Sequence, residues 1–435
     1  MKTGILFGFI VLLIIIPSCT KKSDITSTTS SLIITSIANA VYDSVTVTGT
    51  FSNSGIPVIE SGICYDTAAS PDITKLKLVN TVQNGSFSCT IRNPGAGIQY
   101  FARAYVSTAS GINYGNDIGF FQSRPTSIVG TNYYFNNKIN TLCADAIGNI
   151  FVGGSFNNVS KWNGTSWSVL LYSDAAVESI SADASGNIFA GAERGLEYYV
   201  TKWNGNSWTD IGTYNFNGYY ITGTCTGPGG NVYAIGTKKN AAGKYYVAKW
   251  GPGGYGELGA FDDFPLSICT DAAGNLYAGG LMNHGTNNFY VAKWNGATWS
   301  ELGNFNDIIT SLCTDKNGNL LVSGAFKNII GKYYVGKWNG ISWSELGTLN
   351  LPYNFYSANY VTKLHADALG NVYGLSGYKY PNGKYAVLRW DGFTWNKFVE
   401  LNAAVSAICT NVAGKVYVAG ELKDANGSWY VAVVN

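Results

Sequence analysis

Apolar and polar residues alternate with a period of two along nearly the whole chain, in short runs closed off by Gly, Asn, Asp and Pro. That is the pattern of half-buried β-strands joined by tight turns. The stretch Ile308 to Gly347 shows the unit most clearly. Ile-Ile-Thr-Ser-Leu-Cys-Thr leads through Asp-Lys-Asn-Gly into Asn-Leu-Leu-Val-Ser-Gly. A polar loop, Lys327 to Lys332, then precedes Lys-Tyr-Tyr-Val-Gly-Lys-Trp, and Asn339-Gly340 turns the chain into Trp-Ser-Glu-Leu-Gly. Four short strands are predicted, with turn chemistry between them.

The unit recurs. Gly148-Asn149, Gly186-Asn187, Gly230-Asn231, Gly274-Asn275, Gly318-Asn319, Gly370-Asn371 and Gly414-Lys415 are spaced 38, 44, 44, 44, 52 and 44 residues apart. Seven units of four strands predict a seven-bladed β-propeller over residues 128–435. Asp145, Asp183, Asp271, Asp315 and Asp367 precede the turn glycine by three, where a carboxylate staples turn amides; a calcium site is the alternative reading. Trp162-Asn163-Gly164-Thr165-Ser166-Trp167 returns as Trp203 to Trp208, Trp294 to Trp299, Trp338 to Trp343 and Trp390 to Trp395. With Asn-Gly as a two-residue turn, the second Trp lies diagonally across from the first on one face and joins neighbouring blades. A repeated sugar platform is the alternative. The third unit departs from this pattern at Gly251-Pro252-Gly253-Gly254-Tyr255.

Cys143, Cys225, Cys269, Cys313 and Cys409 share one repeat position, with Ser181 and His365 in the other two units. They read as core side chains in place of a metal ring, because equivalent positions in different blades are too far apart for one ion. The last unit ends at Tyr430 to Asn435 without a fourth strand, and Val129 to Phe135 stands where that strand is needed. Strand exchange between the two ends is therefore expected, since it removes two open edges. Taken together, the repeats resemble the broad class of bacterial propellers built on Asp-x-x-Gly-Asn cores, a likeness that implies fold more than function.

Ahead of the repeats, seven alternating runs between Leu32 and Phe121 predict a β-sandwich over residues 32–123. Gly62-Ile63-Cys64-Tyr65, Pro94-Gly95 with Tyr100 to Tyr105, and Asn113-Tyr114-Gly115 give this segment its character. It resembles the fibronectin type III-like module of Bacteroidetes surface proteins. The resemblance implies that Tyr100 is a corner tyrosine, its ring in the core and its hydroxyl on backbone. Cys64 and Cys89 fall on different strands and are either a disulfide or two buried thiols.

The first eighteen residues carry Lys2 and then an apolar run from Ile5 to Ile16, the length of a signal-peptide core and too short for a bilayer. Ile16-Pro17-Ser18-Cys19 resembles a bacterial lipobox, with Pro17 a departure from the preferred residues. Residues 1–18 then form a lipoprotein signal peptide, and residues 19–31 a lipidated Cys19 with a polar tether. An ordinary cleaved signal is the alternative. The expected address is outside the cytoplasm, lipid-anchored to the outer membrane on its periplasmic side or at the cell surface.

Composition narrows the function classes. The net charge is only +2 and no basic stripe exists, which argues against a nucleic-acid partner. Charged residues make up 12%, while aromatics reach 14% with 30 Tyr, as in a turn-rich extracellular β-protein. A sialidase-type site needs an arginine triad, and the propeller region offers Arg194 and Arg389. Copper oxidase chemistry needs two His ligands, and the chain has His284 and His365 alone. No cofactor or metal site is expected.

The remaining clue is the contrast between tight, repeated turns on one face and variable loops on the other. Those loops carry Tyr214, Phe216, Tyr219 and Tyr220; Phe261, Asp262, Asp263 and Phe264; and Tyr353, Phe355, Tyr356 and Tyr360. Aromatic faces among Asn and Asp suit a glycan or a protein partner; packing of loop on loop is the bland alternative. The reading is a membrane-tethered, non-enzymatic binding or scaffold protein, with its ligand on the variable face. The alternative is a propeller carbohydrate-active enzyme, a hydrolase or lyase, using Asp262 and Asp263 or the histidines.

Overall fold

The structure is a computed structural model. It describes residues 33–434 except 42–43, 53–54, 83, 93, 96–97, 122–123, 125, 131–132, 173–175, 195–196, 216–219, 286–287, 350 and 352–358. The expected signal peptide, Cys19 and the tether lie outside the described residues. Among those described, the regular structure is all strand apart from one short 3-10 turn, Pro228–Gly230.

Residues 33–121 form two sheets. One orders Ile33–Val41, Ser44–Phe51 and Gly85–Arg92. The other orders Leu76–Val79, Val58–Asp66, Gln99–Thr108 and Gly111–Tyr114, with Ile118–Phe121 also paired to Gln99–Thr108. Alternation delivers the core: Val45, Val47, Ile63, Phe87, Ile91, Ala102, Ala104 and Phe120 point inward from both sheets. Gly111–Tyr114 makes eight strands where the runs suggested seven, because a turn at Ala109-Ser110 folds a weakly patterned segment back onto Tyr105 to Thr108. Tyr100 stacks on Phe120 with its hydroxyl accepting from Gly95 N–H at 3.1 Å. Cys64 and Cys89 are free, buried thiols directed at separate backbone carbonyls, of Pro71 and Arg103 for the first and of Leu78 for the second.

The rest of the chain forms seven four-stranded antiparallel sheets among the described residues. Their inner strands are Ile139–Ala144, Val177–Ala182, Ile221–Gly227, Pro265–Thr270, Ile309–Thr314, Val361–Ala366 and Val405–Thr410. Each sheet then runs outward in chain order, as Ile150–Gly154, Asn158–Trp162 and Trp167–Tyr172 do in the first. The turn acids act as staples. Asp315 Oδ1 accepts from the amides of Asn317 and Asn319, both at 2.9 Å, and its Oδ2 accepts from Asn319 Nδ2 at 2.8 Å. Asp145, Asp183, Asp271 and Asp367 bind their own turns in the same way.

The seventh sheet is completed from the other end of the chain. Thr126–Ile128 pairs antiparallel with Ala432–Val434, Ser127 opposite Val433. The closing strand therefore starts earlier than Val129, the residue where the apolar pattern begins. Val129 N–H still donates to Val431 O at 2.9 Å, and Phe135 bridges Trp429. Backbone pairing does not need the apolar side chains that made Val129 to Phe135 stand out. First and last sheets share one core of Ile139, Leu142, Ala407 and Cys409, which closes the ring. A channel cavity of about 300 Å3 is left at the centre, lined by residues of all seven inner strands.

Candidate functional site: a groove between the second and third sheets

The seams between sheets are built from the tryptophan pairs. Trp162 stands directly opposite Trp167, and the other four pairs share that register. The expected diagonal placement is thereby corrected. The connection is longer than a two-residue turn because Asn163 Oδ1 accepts from the amides of Thr165 and Ser166, at 2.9 and 2.8 Å, and so extends it. Ring centroids within a pair are 5.5 Å apart in the first sheet.

In four of the five pairs the second tryptophan clips its sheet to the preceding one; in the fourth sheet Trp299 Nε1 makes no such bond with a described residue. Trp167 Nε1 donates to Val129 O at 2.8 Å, Trp208 Nε1 to Leu170 O at 3.0 Å and Trp395 Nε1 to Leu346 O at 2.6 Å. Trp343 Nε1 donates likewise to Leu302 O. A glycine at positive φ lets the outer strand meet the indole: a Cβ on Gly303 would lie 2.6 Å from Trp343 Nε1. The same room is left at Gly130 for Trp167 and at Gly259 for Trp299, and Gly347 leaves it for Trp390, the first member of its pair.

The third sheet breaks this device. Gly251-Pro252-Gly253-Gly254 replaces the Asn-Gly turn, and Tyr255 stands where the second Trp is due. Trp250 takes over the contact with Gly212 and is only 8% exposed, but Tyr255 turns outward and is 55% exposed. Its ring stays 5.6 Å from Trp250, and its hydroxyl donates to Glu257 Oε1 at 3.0 Å. The first turn of this sheet is altered as well, to Pro228-Gly229-Gly230 in place of an Asp staple. What opens is a groove of about 860 Å3 at the seam, walled by Phe189, Lys202 and Ile211 on one side and Trp250, Pro252, Tyr255 and Glu257 on the other.

Its chemistry is mixed. Burial holds the Lys238 ammonium below the usual lysine range, with Glu257 pulling the other way. Lys202 lies over the Phe189 ring at 5.8 Å. Burial and the Tyr246 hydroxyl push the Tyr255 phenol up, so it stays protonated and can donate. An exposed ring, two ammonium groups and one carboxylate can stack on, and hydrogen-bond to, a ligand.

The residues singled out on the variable face fare differently. Tyr353, Phe355, Tyr356, Phe216 and Tyr219 lie outside the described residues. Tyr214 sits near the end of Trp208–Asn215, opposite Tyr198. Phe261 is 6% exposed and packs edge-on against Trp299. Phe264 meets Tyr245, Tyr360 meets Tyr333 and Tyr220 meets Tyr198, with ring centroids 5.5, 5.8 and 5.3 Å apart. Asp262 is paired with Lys244, and Asp263 accepts from Asn283 Nδ2 at 3.4 Å. His284 stacks on Tyr290 at the surface beside Glu301, whereas His365 faces the channel and contacts Thr410 Oγ1 at 2.9 Å. The two histidines thus belong to separate environments. Among the described residues, no group of three or more His, Cys, Asp or Glu could hold a metal ion. Burial raises the thiols of all five repeat cysteines, which keeps them protonated in the core.

No protein-family model and no curated protein matches the chain. Among solved structures it is similar to the WD40 β-propeller domain of Doa1, over 72% of this chain and 97% of that one, with 11% identity and a TM-score of 0.52. The fold is that of a β-propeller. YCF48 bound to D1 peptide matches over 71% of this chain and 97% of its own, at 13% identity and a TM-score of 0.48. YCF48 from Cyanidioschyzon merolae covers 71% and 98%, at 12% and 0.42. Identities this low speak to fold alone, so the propeller's function has to be argued from its own surface.

Proposed function

We propose that this is an exported, non-enzymatic binding protein that captures a glycan in the groove between its second and third blades. The observation that carries the reading is the replacement of the tryptophan clip by an outward Tyr255 on a Trp250 floor, with Lys202, Lys238 and Glu257 around it. A pyranose ring stacks on such a face while its hydroxyls meet charged groups at the rim. A surface protein is the other partner this chemistry accepts. In the full reading Cys19 carries the lipid, residues 20–31 are the tether, a fibronectin type III-like module follows, and a seven-bladed propeller presents the groove away from the outer membrane. The N-terminal apolar run ending at Ser18-Cys19 supports the tether, and mass analysis of the mature N-terminus should find a diacylated Cys19.

A glycan and surface-protein screen with the full chain tests the groove. Tyr255→Ala is expected to weaken any ligand at least tenfold, about 1.4 kcal/mol, without moving the melting temperature. Loss of binding on Tyr360→Ala with Tyr255→Ala silent would move the ligand to the variable face. Turnover of a screened glycan would overturn the non-enzymatic reading.

A further inference from the structure

The inner strands are tied together by a column of residues that no local pattern reveals: Thr141, Ser179, Gly223, Ser267, Ser311, Lys363 and Ala407, one from each blade. Where the residue has a hydroxyl, its oxygen accepts from a backbone amide of the next blade. Ile180 N–H donates to Thr141 at 3.1 Å, Thr224 N–H to Ser179 at 2.8 Å, and Leu312 and Leu364 N–H to Ser267 and Ser311 at 2.9 Å. Those four amides are directed across the seam at the preceding blade, and the residues that carry them line the channel. The equivalent amides of Ile268, Ile408 and Leu142 follow Gly223, Lys363 and Ala407, which offer no side-chain acceptor.

Two of these amides are neighbours. Ile408 and Leu142 belong to the seventh and first blades, and Lys363 comes from the sixth. One arc of the channel wall therefore presents an ammonium and two amides, while the hydroxyl oxygens that answer such amides in other blades are missing from it. Lys363 has no hydrogen bond or ion pair with a described residue. Its surroundings disfavour the bare charge: burial lowers its affinity for a proton, and the Cys409 thiol nearby acts the other way. The acid among the channel-lining residues, Glu178, takes a hydrogen bond from Asn140 Nδ2 at 3.1 Å.

We propose that the central channel is a binding site for a small oxyanion, a phosphate or the carboxylate of a small organic acid, held by Lys363 Nζ with the amides of Ile408 and Leu142. An oxyanion supplies acceptors to all three donors at once, which is what an array of backbone amides beside a cation selects. The cavity of about 300 Å3 equals the share of roughly ten water molecules, so it admits a ligand of few heavy atoms and no polymer. The site is independent of the groove.

Titration of the full chain with sodium phosphate, sodium acetate and sodium lactate, each against sodium chloride at matched ionic strength, is the test. Calorimetry and the amide chemical shifts of Leu142 and Ile408 are read together. Saturable binding by phosphate alone assigns an inorganic ligand, and by acetate or lactate alone a carboxylate; either supports the site. Lys363→Ser installs the residue that the fifth blade carries at this position, so it is expected to fold, and it should weaken the anion at least tenfold. Lys363→Met tests the charge without the new hydroxyl. Equal responses of wild type and both variants, or no shift at the two amides, would overturn the proposal.

Discussion

His365 occupies the repeat position that five other blades fill with Cys, and this makes it a sharp probe of the channel wall. Burial lowers its pKa from 6.5 to about 4, with Asp367 opposing and Lys363 reinforcing the shift, and the Thr410 hydroxyl adjoins it from the next blade. The folded protein therefore holds the ring neutral while the unfolded chain protonates it. Between pH 6.5 and about 4 the unfolded state binds more protons, so stability falls as pH falls through that window and levels off below it. At about 1.4 kcal/mol for each tenfold in proton affinity, the loss at pH 4.5 comes to about 2.5 kcal/mol. His365→Cys should abolish this component. Urea unfolding at pH 7.5 and pH 4.5 on both proteins isolates it, because other acids such as the buried Glu178 titrate in both and cancel in the difference. Parallel pH dependences in wild type and variant would refute the buried, neutral histidine.

Trp343→Phe removes the donor to Leu302 O and is expected to cost about 1 to 2 kcal/mol, whereas Trp299→Phe should cost less because Trp299 Nε1 has no partner among the described residues; urea midpoints decide. Gly303→Ala and Gly164→Ala share a positive φ, but only the first drives a Cβ into an indole, so its loss of melting temperature should be clearly the larger. Deleting Thr126–Ile128 should lower the melting temperature far more than deleting residues 20–31, and equal effects would rule out closure by the N-terminal strand.

What the sequence makes legible here is what is local. The Asp staples, the tryptophan pairs and the inner-strand cysteines each involve residues a few positions apart or a fixed place in the repeat, and periodicity exposes them. The hydroxyl column is different, because each bond joins residues about one repeat apart and its signal is a mixture of Thr, Ser, Gly, Lys and Ala. Only stacking the seven units in register shows Lys363 as the odd member. The groove had a visible sign in Gly251 to Tyr255, yet a lost turn reads as irregularity until the clip it replaces is known. The aromatics of the variable loops misdirect for a related reason. Hydrophobicity marks Phe261 equally well as a ligand platform or as a partner for Trp299, and only its burial decides.

Both candidate sites sit where a blade fails to make a bond that its siblings make. In a ring of repeats this is physically economical. Each blade touches only its neighbours, so the stability lost at one seam or one arc stays local and the remaining interfaces hold the ring. A missing Trp clip in the third blade then opens a groove without loosening the first, and a Lys in place of Ser at the sixth alters the channel wall without touching the staples. Restoring the repeat should therefore separate scaffold from function. Tyr255→Trp with an Asn-Gly turn rebuilt at residues 251–252, and Lys363→Ser in the channel, are each expected to raise the melting temperature while removing one binding activity and sparing the other. If both gains in stability left both activities intact, these departures would be drift within a tolerant array, and function would have to be sought on the variable loops.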